Sequence, residues 1–180
     1  MPVNFVVPQG TPNRAAHVAN LTAQYQAVGA VEEPENAIAR AGLEAYTERL
    51  MSTPYLAHIK ELFAEHGTNQ EIYFNIFEYF NPATATHSSE LAYAFGNGNF
   101  VYDANDTIVR DFYSTALINF VKFGNPNGDG TSLPFQWPRS HPDFPERHLA
   151  VTLSPFVKDE YYGGRPALAL RLQYEAGVDS

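Results

Sequence analysis

Apolar positions near the start of the chain recur at three- and four-residue intervals. Val18, Leu21, Tyr25 and Val28 form one such stripe, which predicts a helix from Pro12 to Val28 with that face buried. Thr11 before Pro12 is a start signal, because threonine caps open amides and proline at the first helical position forfeits no hydrogen bond. Gly29 marks the expected end. A second helix is expected over Pro34 to Met51, with Ile38, Leu43, Tyr46 and Leu50 facing inward. Thr53-Pro54 repeats the start signal and opens a third helix through Leu56, Ile59, Leu62 and Phe63 to Gly67.

The pattern changes at Glu71. Ile72, Tyr73, Phe74, Ile76, Phe77, Tyr79 and Phe80 are β-branched or aromatic and nearly unbroken, which predicts a central strand covered on both faces. Pro82 ends its pairing, since proline brings no amide to the ladder. The polar loop beyond lies where an open α/β sheet carries its chemistry, past the carboxyl ends of the strands. With Asp106 as N-cap, Ile108, Val109, Phe112, Tyr113, Ala116, Leu117, Phe120 and Val121 give a long helix a broad apolar face. Gly124 and Asn125-Pro126 stop it after Phe123. A loop rich in Gly and Pro then holds the only tryptophan, Trp137. His148 to Leu153 alternates as a strand does, Phe156 to Lys158 is expected to pair with it, and Pro166 to Glu175 reads as a terminal helix. A helical layer, a few strands and a long cover helix make an α/β fold. Without an internal repeat or a long linker, residues 1–180 read as a single region.

Composition narrows the function classes. At 44% apolar over 180 residues, the chain can fill one ordinary core. Against 11 Lys and Arg stand 20 Asp and Glu, for a net charge of -9 spread along the chain. A phosphate-tracking surface needs clustered basic residues, so no nucleic-acid partner is expected. The absence of cysteine removes disulfides, thiol nucleophiles and thiolate metal sites. No apolar run approaches the ~18 residues of a membrane span, and Met1 to Gly10 lacks the basic start and apolar core of a secretory signal.

The candidate chemistry lies in the loop after the strand. His87 stands there beside Ser88, Ser89 and Glu90, and Tyr93-Ala-Phe95-Gly96 closes the segment. A histidine so placed suits proton transfer near neutral pH; on residue type alone, most loop histidines are simply solvated or hydrogen-bonded, and the strand-to-loop context is what favours a functional role. Ser88 is adjacent to His87 and cannot readily align its hydroxyl with that ring, so loop hydrogen bonding is the preferred role. His17, His58, His66, His141 and His148 show no metal spacing. Asn125-Pro-Asn127-Gly-Asp129-Gly130 approaches a calcium loop, but Gln136 stands where the ligating glutamate belongs, so a turn ending the helix is preferred.

The segment His87-Ser-Ser-Glu90-Leu91-Ala-Tyr93-Ala-Phe95-Gly96 resembles the histidine motif of the type-B carboxylesterase and cholinesterase family, His-Gly-x-Glu-Leu/Ile-x-x-x-Phe-Gly. Further segments are similar to that family in the same order. Thr47-Glu48-Arg-Leu-Met-Ser-Thr-Pro54 resembles its helix-to-proline stretch, and Ile72-Tyr73-Phe74 to Phe77-Glu-Tyr79 its strand before the histidine. Asn119-Phe120-Val-Lys-Phe-Gly124-Asn125-Pro126-Asn127, with Trp137-Pro138, resembles its Phe-Ala-x-x-Gly-x-Pro-x and Trp-Pro. The resemblance implies an α/β-hydrolase fold and a Ser-Glu/Asp-His triad that cleaves esters without a cofactor. His87 matches the triad histidine, Glu90 the motif's buried structural or tuning carboxylate, and Ser88 replaces the motif's glycine.

In such enzymes the nucleophile sits in Gly-x-Ser-x-Gly ahead of the histidine. Ser52 is the only serine before His87, it lacks flanking glycines, and the motif occurs nowhere in the chain. The chain is therefore expected to be a C-terminal portion of the esterase domain, inactive by itself, with a small-molecule ester as substrate of the completed domain. Glu32, Glu33, Glu35, Glu44 and Glu48 read as surface helix carboxylates rather than as a marked triad acid. A non-catalytic, esterase-like interaction module and a truncated product without independent function are the alternatives. Self-association through exposed sheet is expected. Phe74, Phe77 and Phe95 read as core residues before pocket residues.

Overall fold

The computed structural model describes residues 4–32, 34–81, 88–96, 101–129 and 133–177. In chain order the main elements are α1 (Arg14–Glu32), α2 (Ala37–Thr47), α3 (Thr53–His66), β1 (Asn75–Phe77), α4 (Glu90–Phe95), α5 (Ala104–Phe123), β2 (His148–Val151), β3 (Phe156–Lys158) and α6 (Arg165–Glu175). They divide into two units: residues 1–65 with 161–180, and His66–Glu160.

In the first unit, the expected stripe on α1 carries Leu21 and Tyr25 into a core shared with Val6, Val7, Ala41, Ala45, Ala169 and Leu172. The helix ends differ from expectation. The Thr11 hydroxyl donates to the Leu172 carbonyl on α6 at 3.4 Å instead of capping α1, which begins at Arg14. At its other end α1 continues past Gly29, which is a contact point and not a terminator: a Cβ there would lie 2.2 Å from the Ala37 carbonyl oxygen. This approach also decides which face of α2 is buried. Only small side chains fit against α1, so Ala41 and Ala45 are inside, while Ile38 and Leu43 are 69% and 55% exposed and Tyr46 and Leu50 also face out. The inward set expected for α2 is thus overturned by close packing.

One π-helical turn, Glu48–Ser52, joins α2 to α3 and directs both Glu48 and Ser52 inward. An inserted residue of this kind rotates the following side chains relative to the helix before it. Glu48, expected on the surface, is only 2% exposed. Arg165, at the start of α6, donates from Nε to Glu48 Oε1 at 3.0 Å and to Oε2 at 3.2 Å, and from Nη2 to Oε1. Tyr25 donates its hydroxyl to Oε2 at 2.8 Å, and its ring lies 5.1 Å from the same guanidinium. The Ser52 hydroxyl is hydrogen-bonded to Tyr161. Leu56 and Ala57 of α3 pack against Ala167 and Leu170, as the third predicted stripe requires.

The second unit is built on the sheet β1-β2-β3. β1 runs parallel to β2, with Ile76 opposite Ala150. β2 runs antiparallel to β3, with Leu149 opposite Val157, which is the pairing expected for Phe156 to Lys158. The central strand is β2, buried along its whole length, whereas β1 is half-buried and among the described residues pairs with β2 alone. Among the described residues, the strand expected from Glu71 to Phe80 is thus only Asn75–Phe77 and stands at the edge of the sheet. An apolar run reports burial of side chains, and here that comes from packing on one face: Tyr73, Phe77 and Tyr79 lie against Tyr93, Val109, Phe112, Tyr113 and Trp137. The Trp137 indole N–H donates to the Phe74 carbonyl at 3.0 Å and its amide to Asn127 Oδ1 at 2.7 Å. Asn125 Oδ1 accepts from the Asn127 amide at 2.9 Å, so the Asn-rich stretch forms the preferred turn.

Candidate active site

β1 leads into the segment that the sequence nominates for chemistry. Residues 82–87, and His87 with them, lie outside the described residues; both flanks are described.

The flanks meet at Asp106. The sequence suggested Asp106 as N-cap of α5, but Asp103 holds that place and Asp106 sits three positions on, where the two exchange bonds. Asp103 Oδ1 accepts from the Asp106 amide at 2.8 Å, and Asp106 Oδ2 from the Asp103 amide at 2.9 Å. This is a capping box with two aspartates. Asp106 then does more than a cap requires. Its Oδ1 accepts from the Tyr93 hydroxyl at 2.7 Å and the Tyr79 hydroxyl at 3.1 Å, and Asn81 Nδ2 lies 3.0 and 2.9 Å from its two oxygens. The residue is fully buried, at 0% exposure. Burial pushes its carboxyl up; the hydrogen bonds from the Asp103 amide, Asn81, Tyr93 and Tyr79 outweigh this and hold it below the usual carboxylate range. Tyr79 is pushed up to about 12, first by burial and then by its hydrogen bond to Asp106.

Past the undescribed segment, Ser88 adopts φ 65°, the left-handed region that glycine enters without strain. Its carbonyl accepts from the Leu91 amide at 3.1 Å and starts the turn into α4. Glu90 opens α4, and the helix closes at Gly96, also left-handed, whose amide donates to the Ala92 carbonyl. Glu90 faces Tyr113: burial first, then the Glu90 charge, push that phenol up to about 12. Tyr113 in turn lies with Phe77 and Tyr93 in a ring cluster whose centroids are 5.1 to 5.4 Å apart. Phe77 is thus core, as expected, and Phe74 stacks at a tilt on His148, 5.4 Å away. Phe95 is different. It is 71% exposed and, with Leu117, Ile118 and Val121, lines an open apolar groove of about 210 Å³ between α4 and α5.

The other candidates separate. Glu44 pairs with Arg40 on the helix surface at 2.6 Å, and Glu35 is exposed. Glu33 and the Glu32 side chain lie outside the described residues. Glu48 and Ser52 are buried and held by Arg165, Tyr25 and Tyr161. The Asp106 cluster escaped the sequence reading, although Asp103-x-x-Asp106 has capping-box spacing. Nothing in spacing alone joins Tyr79, Asn81 and Tyr93 to it.

Comparison with known proteins gives the family from its model and the fold from solved structures. The model of the carboxylesterase family matches residues 4–168. The esterase cest-33 of Caenorhabditis elegans is 34% identical over 118 residues, covering 57% of this chain and 21% of that protein. A crystal structure of the carboxylesterase EST55 of Geobacillus stearothermophilus superposes with a TM-score of 0.66 at 23% identity, over 84% of this chain and 31% of that one. A second structure of EST55 gives a TM-score of 0.59 over 72% of this chain and 28% of that one. These structural matches establish the fold, that of an α/β-hydrolase in part. The chain spans about a fifth of the curated relative's length.

Proposed function

The chain belongs to the carboxylesterase family, and from that premise we propose that it is the part of a carboxylic ester hydrolase that contributes His87 to a Ser-Glu/Asp-His triad. The family match over residues 4–168 carries this reading. His87 takes the proton of the nucleophile as it attacks the ester carbonyl, then returns it to the leaving alcohol. Ser88 supports the assignment: it holds a left-handed φ at the motif position where the family has glycine. Glu90, three positions beyond His87 in the sequence, tunes the site by its charge. No Gly-x-Ser-x-Gly occurs in the 180 residues, so the nucleophile and oxyanion donors are to be supplied by another segment of the domain. A histidine base without them contributes little, because these groups act as a unit.

The test is hydrolysis of p-nitrophenyl acetate by this chain alone and by this chain combined with a carboxylesterase segment that carries the nucleophile elbow. Turnover is expected only in the combination, and only with His87 intact. Turnover that survives His87→Ala, with or without the added segment, would overturn the assignment.

A further inference from the structure

We propose that the outer edge of β1 is a docking surface for a second copy of this chain, which adds its own β1 there as an antiparallel strand. The role of His87 does not enter. β1 and its extensions bond toward β2 and the Trp137 loop through alternate residues: the Leu149 amide donates to the Phe74 carbonyl at 3.0 Å, the Glu78 amide to the Val151 carbonyl at 2.9 Å, and the Ser140 amide to the Ile72 carbonyl at 2.8 Å. Successive residues of a strand turn their backbone groups to opposite sides, so Asn75 and Phe77 turn theirs away from β2. Among the described residues no strand meets that edge. Amides and carbonyls in such a row are matched by one kind of partner, another extended chain.

Charge and symmetry fit a second copy to this edge. Ile72 to Phe77 contains no charged residue, proline or glycine, the devices that keep an edge strand single. β3, at the other side of the sheet, has them: it ends on Lys158 and runs into Asp159 and Glu160. The acidic residues that flank the β1 stretch each lie beside a cation. Both Glu78 oxygens accept from Lys158 Nζ at 2.7 Å, and Glu71 lies 3.7 Å from Arg139. Two chains of net charge -9 can therefore approach here with the local repulsion reduced. Pairing centred on Ile76 sets Asn75 opposite Phe77 of the second copy and Phe77 opposite its Asn75, and these residues exchange their outward N–H and C=O groups. The contact is the same from both sides, so it closes as a two-fold dimer and does not grow into a filament.

The test is light scattering on the 180-residue chain at rising concentration, with amide hydrogen exchange followed residue by residue by NMR. The mass is expected to rise from one chain to two. Over the same range the Asn75 and Phe77 amides are expected to slow about tenfold, as for one hydrogen bond gained, while the Glu78 amide, already bonded to β2, keeps its rate. Asn75→Pro removes an outward N–H at a place where an edge strand admits proline, together with a 3.4 Å bond from the Tyr113 hydroxyl. It is expected to lose the dimer with its circular dichroism unchanged; should it fail to fold, the exchange rates of the unaltered chain decide alone. A mass of one chain throughout, with the Asn75 and Phe77 amides fast, would overturn the proposal, as would a dimer that survives Asn75→Pro. Protection of those amides that appears only on adding a carboxylesterase segment with the nucleophile elbow would assign the edge to that segment and overturn it likewise.

Discussion

Arg165 and Glu48 lie 117 positions apart and meet as a forked pair, with Nε 3.0 Å from Oε1 and 3.2 Å from Oε2 and side chains only 10% and 2% exposed. The pair pins the start of α6 to the π-helical turn after α2, and Tyr25 completes the carboxylate's hydrogen bonds from α1. A pair so removed from water behaves differently when broken and when replaced. Glu48→Leu leaves the guanidinium buried without the carboxylate it is hydrogen-bonded to and is expected to cost about 3–5 kcal/mol. The double variant Glu48→Leu with Arg165→Met is expected to cost clearly less than that single change. Urea unfolding followed by circular dichroism measures both, and additive costs would count against coupling. The Arg40–Glu44 pair, partly exposed at i,i+4 on one helix, is expected to contribute only ~0.5 kcal/mol.

Gly29 and Gly42 predict opposite responses to the same substitution. Both stand in helices, where alanine is ordinarily better by roughly 1 kcal/mol. A Cβ on Gly42 meets nothing within 4 Å, whereas one on Gly29 meets backbone atoms of Ala37 and Ala41. Backbone cannot swing aside. Gly42→Ala is therefore expected to raise the melting temperature, and Gly29→Ala to cost about 1–3 kcal/mol through overpacking. A gain at both positions would show that α1 and α2 separate without penalty.

These positions also explain how far the fold was legible in the sequence. The stripes on α1 and α3 were readable because large apolar side chains recur on the buried face of each, whereas only part of the face expected for α5 is inside: Val109, Phe112, Tyr113 and Ala116 are buried, and Ile108, Phe120 and Val121 are exposed. On α2 that signal misled: Ile38, Leu43, Tyr46 and Leu50 are the conspicuous residues, yet Ala41 and Ala45 take the interior because Gly29 draws the helices together. Helix-to-helix distance is a property of pairs and leaves no periodicity in either partner. The run from Ile72 to Phe80 misled for a related reason, since aromatic packing on α5 looks the same in sequence as two-sided sheet burial. His87, Ser88 and Glu90 were found by a motif, which is local. Asp106 required contacts from β1, α4 and α5 to converge, and only the three-dimensional arrangement brings them together.

Ser88 offers a direct check on the backbone beside the motif. A residue with a Cβ at φ 65° carries strain of about 1 kcal/mol that glycine escapes. Ser88→Gly is expected to stabilise the chain by roughly that amount, and Ser88→Ala to bring no such gain. Thermal unfolding of the two variants against the unaltered chain makes the comparison. Equal stability of the Gly and Ala variants would show that the left-handed turn is not imposed on position 88.

Asp106 makes a signed prediction for acid. Its hydrogen bonds hold the folded carboxyl below the ordinary carboxylate range despite burial. A group whose pKa is lowered on folding contributes stability above its unfolded pKa, near 3.9, and loses it as the pH falls through the folded value. The unaltered chain should therefore lose more stability than Asp106→Asn between roughly pH 5 and pH 2.5, because the amide has no proton to gain. Trp137 packs in the same core as Tyr93 and Tyr113, so its fluorescence reports unfolding of this unit. The gap between the two urea midpoints should be widest near pH 5 and narrow toward the acid end. A gap constant over that range would mean that Asp106 holds its donors without being charged, and would remove the reason for an aspartate where the flanks of His87 converge.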